Sequence, residues 1–374
     1  MNRRKRYQRN TEHKQGEQYH YASYLNLIWW KFKKHKLAVA STVILGVFYF
    51  IALFCEFIAP YAPTKESGHI YASPQKIYIY SKDDGLQRPF VYGLTRRKDR
   101  ETFRWVHEED RSEKHVVQFF LRGQKYELFG LFKMDIHLFG TKEGPFFLFG
   151  TDRFGRDLFS RIIYGTRISI TIGLVGIFIS FIIGLVLGGI SGYFGGIIDN
   201  IIQRIIDFLI SIPTLPLWMA LSAAMPRTWS VVQMYFAITV IFSIIGWTSL
   251  ARVVRGKLLA LREEDFVLAA RICGASEWSI IRKHLIPSFM SYIIVQLTLS
   301  MPAMILGETA LSFLGLGLQP PAVSWGVLLQ DAQRLVAVAH YAWLLLPVPF
   351  VIITVLAFNF IGDGLRDAAD PYSR

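Results

Sequence analysis

Four sets of residues have types and spacing that could do chemistry. Ser191 lies in "GISG" (189–192), where flanking glycines could expose its hydroxyl as a nucleophile if a histidine on a neighbouring segment accepted its proton. Glu308 is a carboxylate just beyond the uncharged run 285–306, where an acid is a candidate for substrate contact or gating, as are Ser300 and Pro302 within the run. The stretch "EEDFVLAARICGASEWSIIRKHLIP" (263–287) sets three acids, several basic residues and His284 between long apolar runs, the composition of a segment that meets a partner. The two cysteines, Cys55 and Cys273, and the nine histidines show no metal-ligand spacing, so no metal site or disulfide is expected. A G-x-x-x-x-G-K-[S/T] phosphate loop is absent from the sequence, so ATP chemistry is not expected of this chain.

The elements that must position these residues are membrane helices. Of 374 residues, 52% are hydrophobic and 18% charged, a balance foreign to soluble domains of this size. Crossing a bilayer as a helix takes about 18 or more apolar residues. Six runs qualify: 37–58, 168–190, 208–225, 231–250, 285–306 and 341–361. The net charge of +13 is concentrated rather than spread, with ten Lys or Arg in residues 1–36 and seven in 252–283, against Arg334 alone in 309–340. By the positive-inside rule, a cytoplasmic amino terminus puts both basic segments and the carboxyl terminus on the cytoplasmic side. That placement favours lipid headgroups over nucleic acid as the partner of the charge. Residues 37–58 are expected to remain as a first transmembrane helix rather than be cleaved as a signal peptide.

Residues 63–145 differ from the rest. Segments such as "KIYIY", "PFVYGL", "TFRWV" and "KHVVQFFLRG" predict strands, hence a small β-rich extracytoplasmic insert. Basic residues at 153, 156, 161 and 167 among apolar ones predict an amphipathic segment, 146–167, lying on the outer membrane surface. "GYFGGIIDNIIQRII" (192–206) predicts an elbow on the inner side, and Arg252 and Arg255 read as inner-surface anchors. Within 263–287, acids precede a helix whose Phe266, Ala269, Ala270 and Cys273 share one face. Gly274 stands where a left-handed residue would end it, and Ser276 could cap a second helix with an apolar stripe of Trp278, Ile281 and Leu285.

This loop resembles the cytoplasmic signature of ABC-importer membrane subunits: two alanines, a glycine four residues later and a Leu-Pro pair beyond, here Ala269, Ala270, Gly274, Ile286 and Pro287. Leu268 stands where the family has glutamate before the alanines, and His284 where it has isoleucine, so docking through that glutamate's charge is not expected. "FGTDRFGRDLFSRIIYGTRISI", "GETALSFLGLGLQPPAVSWGVLL", "NFIGDGLRDAADP" and "WWKFKKHKLAVAS" resemble the dipeptide and oligopeptide permease family, in particular its C-type membrane subunit, over about residues 25–62 and 146–374.

The resemblance implies an α-helical membrane protein with six transmembrane helices of the type I ABC-importer kind. Its core would span 168–362, with a coupling loop at 252–286 and a cytoplasmic tail at 363–374. Implied partners are a second, B-type permease subunit, two cytoplasmic ATP-binding subunits that hold the ATP and Mg, and an extracytoplasmic peptide-binding protein, all at a bacterial inner membrane. The ATPases would dock on Phe266, Ala269, Ala270, Cys273, Gly274, Ala275 and Glu277. Peptides are the implied cargo, with nickel chelates, glutathione or antimicrobial peptides as alternatives. A rhomboid-like intramembrane serine protease at Ser191 is the reading from a different class; His284 and His340 fall at the membrane boundaries, away from it.

Overall fold

The computed structural model describes residues 24–81, 85–98, 105–226, 228–333 and 339–369. The basic segment 1–23 and the tail residues 370–374 lie outside the described residues. A short helix α1 (Tyr24–Lys34) leads into α2 (Lys36–Leu53) and, after a break at Phe54, the single turn α3 (Cys55–Ile58). The insert follows as β1 (Tyr78–Ser81), β2 (Gly85–Lys98), β3 (Trp105–Leu128) and β4 (Phe132–Thr141). Then come α4 (Leu158–Phe194), α5 (Gly196–Ser211), α6 (Thr214–Ala223), α7 (Val231–Leu261), α8 (Asp265–Ile272), α9 (Glu277–Ile280), α10 (Met290–Phe313), α11 (Trp325–Asp331) and α12 (Pro347–Ala369).

Among the described residues, five helical segments are long and apolar enough to span a membrane, built on α2, α4, α7, α10 and α12, and α5 with α6 makes a sixth if the bent pair is one span. The third expected span, 208–225, is not one helix. Residues 208–211 finish α5, the chain is extended at Ile212 and Pro213, and α6 leaves at an angle of 84°. Pro213 has no N–H to continue the ladder and disfavours a helical conformation at Ile212 before it. The first expected span likewise breaks at Phe54, where Arg167 of α4 donates to the last carbonyls of α2 at Ala52 (2.7 Å) and Leu53 (3.1 Å).

Glycines close the centre. Gly184, Gly188 and Gly192 recur every fourth residue on α4, and a Cβ at Gly188 would lie 2.5 Å from the Ala251 carbonyl oxygen of α7. Small residues at this spacing let two helices meet backbone to backbone. Because Gly176 faces Thr239 and Ser243 while Gly192 faces Arg255, α4 and α7 run parallel. Their far ends therefore lie together, about 55 Å along α4 from its start beside the sheet. Ser169 of α4 reaches Glu308 while Gly173, further along α4, faces Ile305 and Met301, so α10 returns in the opposite direction, and Gly364 against Phe32 and Ala38 brings the end of α12 to α1. One end of the bundle thus carries the sheet; the other carries α1, α8 and the end of α12.

The sheet is antiparallel in the order β1-β2-β3-β4. Strand β4 was not among the expected strands. His137 of β4 contacts the Ala59 carbonyl (2.7 Å) past α3 and the Gln124 carbonyl (3.0 Å) of β3, fixing the hairpin to the helix end. Residues 146–157 do not form the expected surface helix: α4 starts only at Leu158, with the Asp157 side chain accepting the Ser160 N–H as its cap.

Gly188→Ala must push α4 and α7 apart, so a loss of about 1–3 kcal/mol is expected. Gly46→Ala on α2 meets nothing within 4 Å and should be neutral or slightly stabilising. Thermal unfolding of the purified protein in detergent, followed by tryptophan fluorescence, distinguishes them; equal midpoints would contradict the close helix contact.

Candidate functional site

The sheet end is organised by buried polar groups. Glu308, near the end of α10, is fully buried. Its Oε1 accepts hydrogen bonds from Ser312 (2.8 Å) and Ser324 (2.6 Å), and its Oε2 from Ser169 of α4 (3.4 Å). Each hydroxyl, having given its proton to the carboxylate, accepts a backbone N–H: Ser312 from Leu318 (3.0 Å), Ser324 from Val327 (3.2 Å) and Ser169 from Trp325 (3.0 Å). One carboxylate thus sets the direction of three hydroxyls, which pin the loop between α10 and α11. Gly317 and Gly326 fit against Ser312 and Thr309, where a Cβ would lie within 3 Å of the α10 backbone.

This loop forms one wall of a cavity of about 320 Å³, whose other walls include Ser222, Met225, Trp229 and Met234. Glu308 itself does not line it. Pro302 is buried within α10, and the Ser300 hydroxyl is occupied by the Gln296 carbonyl at 2.8 Å. Of the three expected pathway residues, none opens on this cavity in the conformation seen.

The basic residues expected on an amphipathic segment at the outer membrane surface instead turn inward. Arg156 pairs with Asp152 at 2.7 Å, and Arg161, 1% exposed, lies between Asp152 and Asp331 of α11. Arg153 reaches Asp331 at 3.1 Å, and Arg167 forms a two-point pair with Glu56 of α3. Isolated charges cannot be buried at tolerable cost, whereas paired and hydrogen-bonded ones can. Burial also raises the Asp157 carboxyl, at the α4 cap, to about 7. Similarly, Arg255 is not a headgroup anchor: its guanidinium binds both oxygens of Asp199 on α5, at 2.5 and 2.6 Å. Ser191 donates to the same Asp199 and accepts from Gln203 at 3.1 Å. Its hydroxyl therefore orients the elbow, and no hydrogen bond joins it to a histidine among the described residues.

At the other end, α8 closes as the glycine suggested. Gly274 has φ +78°, its N–H bonds the Arg271 carbonyl (2.9 Å), and the Ala275 N–H bonds that of Ala270 (3.1 Å). This is the Schellman arrangement that ends helices. The expected single face splits in two. Val267 is fully buried and Ala270 packs beside it on Tyr193, Leu258 and Ile280, while Phe266, Ala269 and Cys273 point outward with Leu268 and Ile272. Ile272 is 87% exposed and Trp278 66%. Glu277 is exposed in the first turn of α9. Ser276 occupies the cap position of α9, but its side chain accepts no capping hydrogen bond. Trp278 lies outside the buried stripe, which is Ile280, Ile281 and Leu285; a π-helical turn follows at Ile281–Leu285. Arg271 lies over the Tyr193 ring at 5.7 Å, tying α8 to the end of α4.

These features define a polytopic membrane subunit with a firmly tied sheet end and an exposed helix–turn–helix at the opposite end. Residues 184–374 match the family described as binding-protein-dependent transport system inner membrane component, and residues 23–78 match the N-terminal TM domain of oligopeptide transport permease C. The chain belongs to this family of transport permeases. The dipeptide transport system permease protein DppC of Bacillus subtilis (strain 168) is 44% identical over 226 residues, 60% of this chain and 69% of the relative. The oligopeptide transport system permease protein OppC of Haemophilus influenzae is 44% identical over 235 residues, 63% and 73% of the two chains. The glutathione transport system permease protein GsiD of Shigella dysenteriae is 40% identical over 224 residues, 60% and 71% of the two chains. The inward-facing MetNI methionine ABC transporter is 20% identical with a TM-score of 0.43, covering 56% of this chain and 97% of that one.

Glu308→Ala leaves three buried hydroxyls without their acceptor, and a loss of about 3–5 kcal/mol is expected. Glu308→Gln keeps a carbonyl oxygen for two of them and should cost roughly 1–2 kcal/mol. Unfolding midpoints of both variants in detergent measure the difference; an alanine variant as stable as the parent would contradict the network.

Proposed function

We propose that this chain is one of two membrane subunits of an ATP-driven peptide importer in a bacterial inner membrane, with both its termini and α8 on the cytoplasmic side and the 63–145 insert outside. The observation that carries the reading is the outward apolar surface of α8 and α9, around Phe266, Ala269, Ile272 and Trp278, at the bundle end opposite the sheet. A short helix that presents small and apolar side chains suits a partner's groove. The partners are two cytoplasmic ATPases, which hold ATP and Mg, together with a B-type permease subunit and an extracytoplasmic peptide-binding protein.

Coupling follows from how α8 is seated. Its inner side rests on Tyr193 at the end of α4 and Leu258 near the end of α7, so a displacement of the docked ATPase moves the paired helices directly. Two docked arrangements that differ by a few kcal/mol suffice for alternating access. With Leu268 in place of an acid, shape and apolar contact carry the docking rather than charge. The names of the dipeptide and oligopeptide relatives support peptides as cargo, and the glutathione relative supports that smaller peptide as the second reading.

Ala269→Arg and Ile272→Asp alter exposed side chains and leave the buried seat intact. Each is expected to weaken co-purification of the ATPases at least tenfold, about 1.4 kcal/mol, and to abolish uptake of labelled peptide by the assembled transporter. Undiminished association and uptake in both would overturn the docking reading. Competition by unlabelled dipeptides, longer peptides and glutathione then separates the cargo classes.

A further inference from the structure

The β3–β4 hairpin ends in Leu128-Phe129-Gly130-Leu131-Phe132, and its tip is apolar and bare: Leu131 is 78% exposed and Phe132 62%. The Leu131 N–H bonds the Leu128 carbonyl at 3.1 Å, and both central residues are left-handed, Phe129 at φ +56° and Gly130 at +67°. Tight turns with two positive-φ residues favour asparagine or aspartate before the glycine. A phenylalanine there is strained, so the local turn chemistry does not account for its presence.

Its position does. Where His137 contacts the Ala59 carbonyl, the hairpin lies beside the end of α3; at its tip, the Phe129 ring meets Phe54 edge-on with centroids 5.9 Å apart. Toward its tip the hairpin therefore runs back along the helix from the level of Ala59 to that of Phe54, about 7 Å nearer the middle of the span. Phe54 in turn packs on Phe50 at 4.8 Å. Phe50 continues the exposed face of α2 through Val47 and Val43, the uncharged side of a membrane-spanning helix. The tip extends this surface sideways. Lys125 and Lys133, both exposed, sit just behind it, at the depth where ammonium groups meet phosphates.

We infer that the tip of the β3–β4 hairpin is a membrane anchor, with Phe129, Leu131 and Phe132 seated among phospholipid acyl chains on the sheet side of the bilayer and Lys125 and Lys133 at the headgroups. Aromatic and aliphatic residues at this depth gain by leaving water, which offsets the strain at Phe129. The anchor holds the insert against α2 and keeps the sheet from swinging away from the bundle. It stands on the membrane-spanning character of α2 alone and does not depend on cargo or on ATPase docking.

The test uses the assembled transporter in vesicles of phosphatidylethanolamine and phosphatidylglycerol, with nitroxide labels at Leu131→Cys, Phe132→Cys and, for comparison, Val106→Cys, in a Cys273→Ser background. Val106 is also apolar and exposed but lies at the opposite end of β3, and Cys55 is buried. Power saturation should show labels at 131 and 132 several-fold more accessible to oxygen, which dissolves in lipid, than to an aqueous nickel chelate, with the reverse at 106. Labels at 131 and 132 that behave like 106 would overturn the anchor, leaving the tip in water. Labels shielded from both reagents would also overturn it, showing that a protein surface covers the tip.

Discussion

In a chain this apolar, a buried charge has no water to fall back on, and the fold depends on the main buried charges being answered from within. Glu308 shows the constraint most fully. It accepts hydrogen bonds from three serines on α4, α10 and the approach to α11, and each serine in turn accepts one from a backbone N–H. The same logic places Arg161 between Asp152 and Asp331, Arg167 on Glu56 and Arg255 on Asp199. The links from Glu308 to Ser169, Arg161 to Asp331, Arg167 to Glu56 and Arg255 to Asp199 join elements distant in sequence. They tie the ends of the bundle while the glycine face of α4 closes its middle against α7.

The exposed end obeys a different rule. Around α8 the inward side chains Val267 and Ala270, with Arg271 over the Tyr193 ring, seat the helix on its neighbours, but Phe266, Ile272 and Trp278 face outward, exposed among the described residues. The positive φ of Gly274 turns the chain between the two helices, each of which leaves apolar side chains exposed. A permease needs this contrast. In the proposed reading, the sheet end holds its shape while the α8 end accepts a force from a docked ATPase and passes it to the long helices.

Much of this was legible in the sequence where the signal was local. Uncharged runs marked most spans, and Gly274 announced the end of α8, because left-handed backbone is a property of one residue. The rest needed partners far along the chain. Arg153, Arg161 and Arg167 read as the polar side of a surface segment because Asp331 and Glu56 lie far along the chain from them; in three dimensions they are neighbours. Pro213 and Pro216 were visible, yet hydropathy carried the third span through the break that turns the chain by 84°. Helical spacing grouped Trp278 with Ile281 and Leu285, but Trp278 is exposed and Ile280 takes its place in the buried set. Strand β4, with charged and apolar residues mixed in "FKMDIHLFGT", had no pattern to mark it apart from its pairing with β3.

The central claim, that the α8 surface is where an ATPase seats on the cytoplasmic side, can be tested on the native chain because Cys273 is exposed there and Cys55 is buried. The measurement is labelling of Cys273 by a membrane-impermeant maleimide in right-side-out and inside-out vesicles, with and without the ATPase subunits bound. The account predicts labelling from the cytoplasmic face alone, and strong protection when the ATPases are present. Labelling from the outer face, or equal labelling with and without the ATPases, would contradict it.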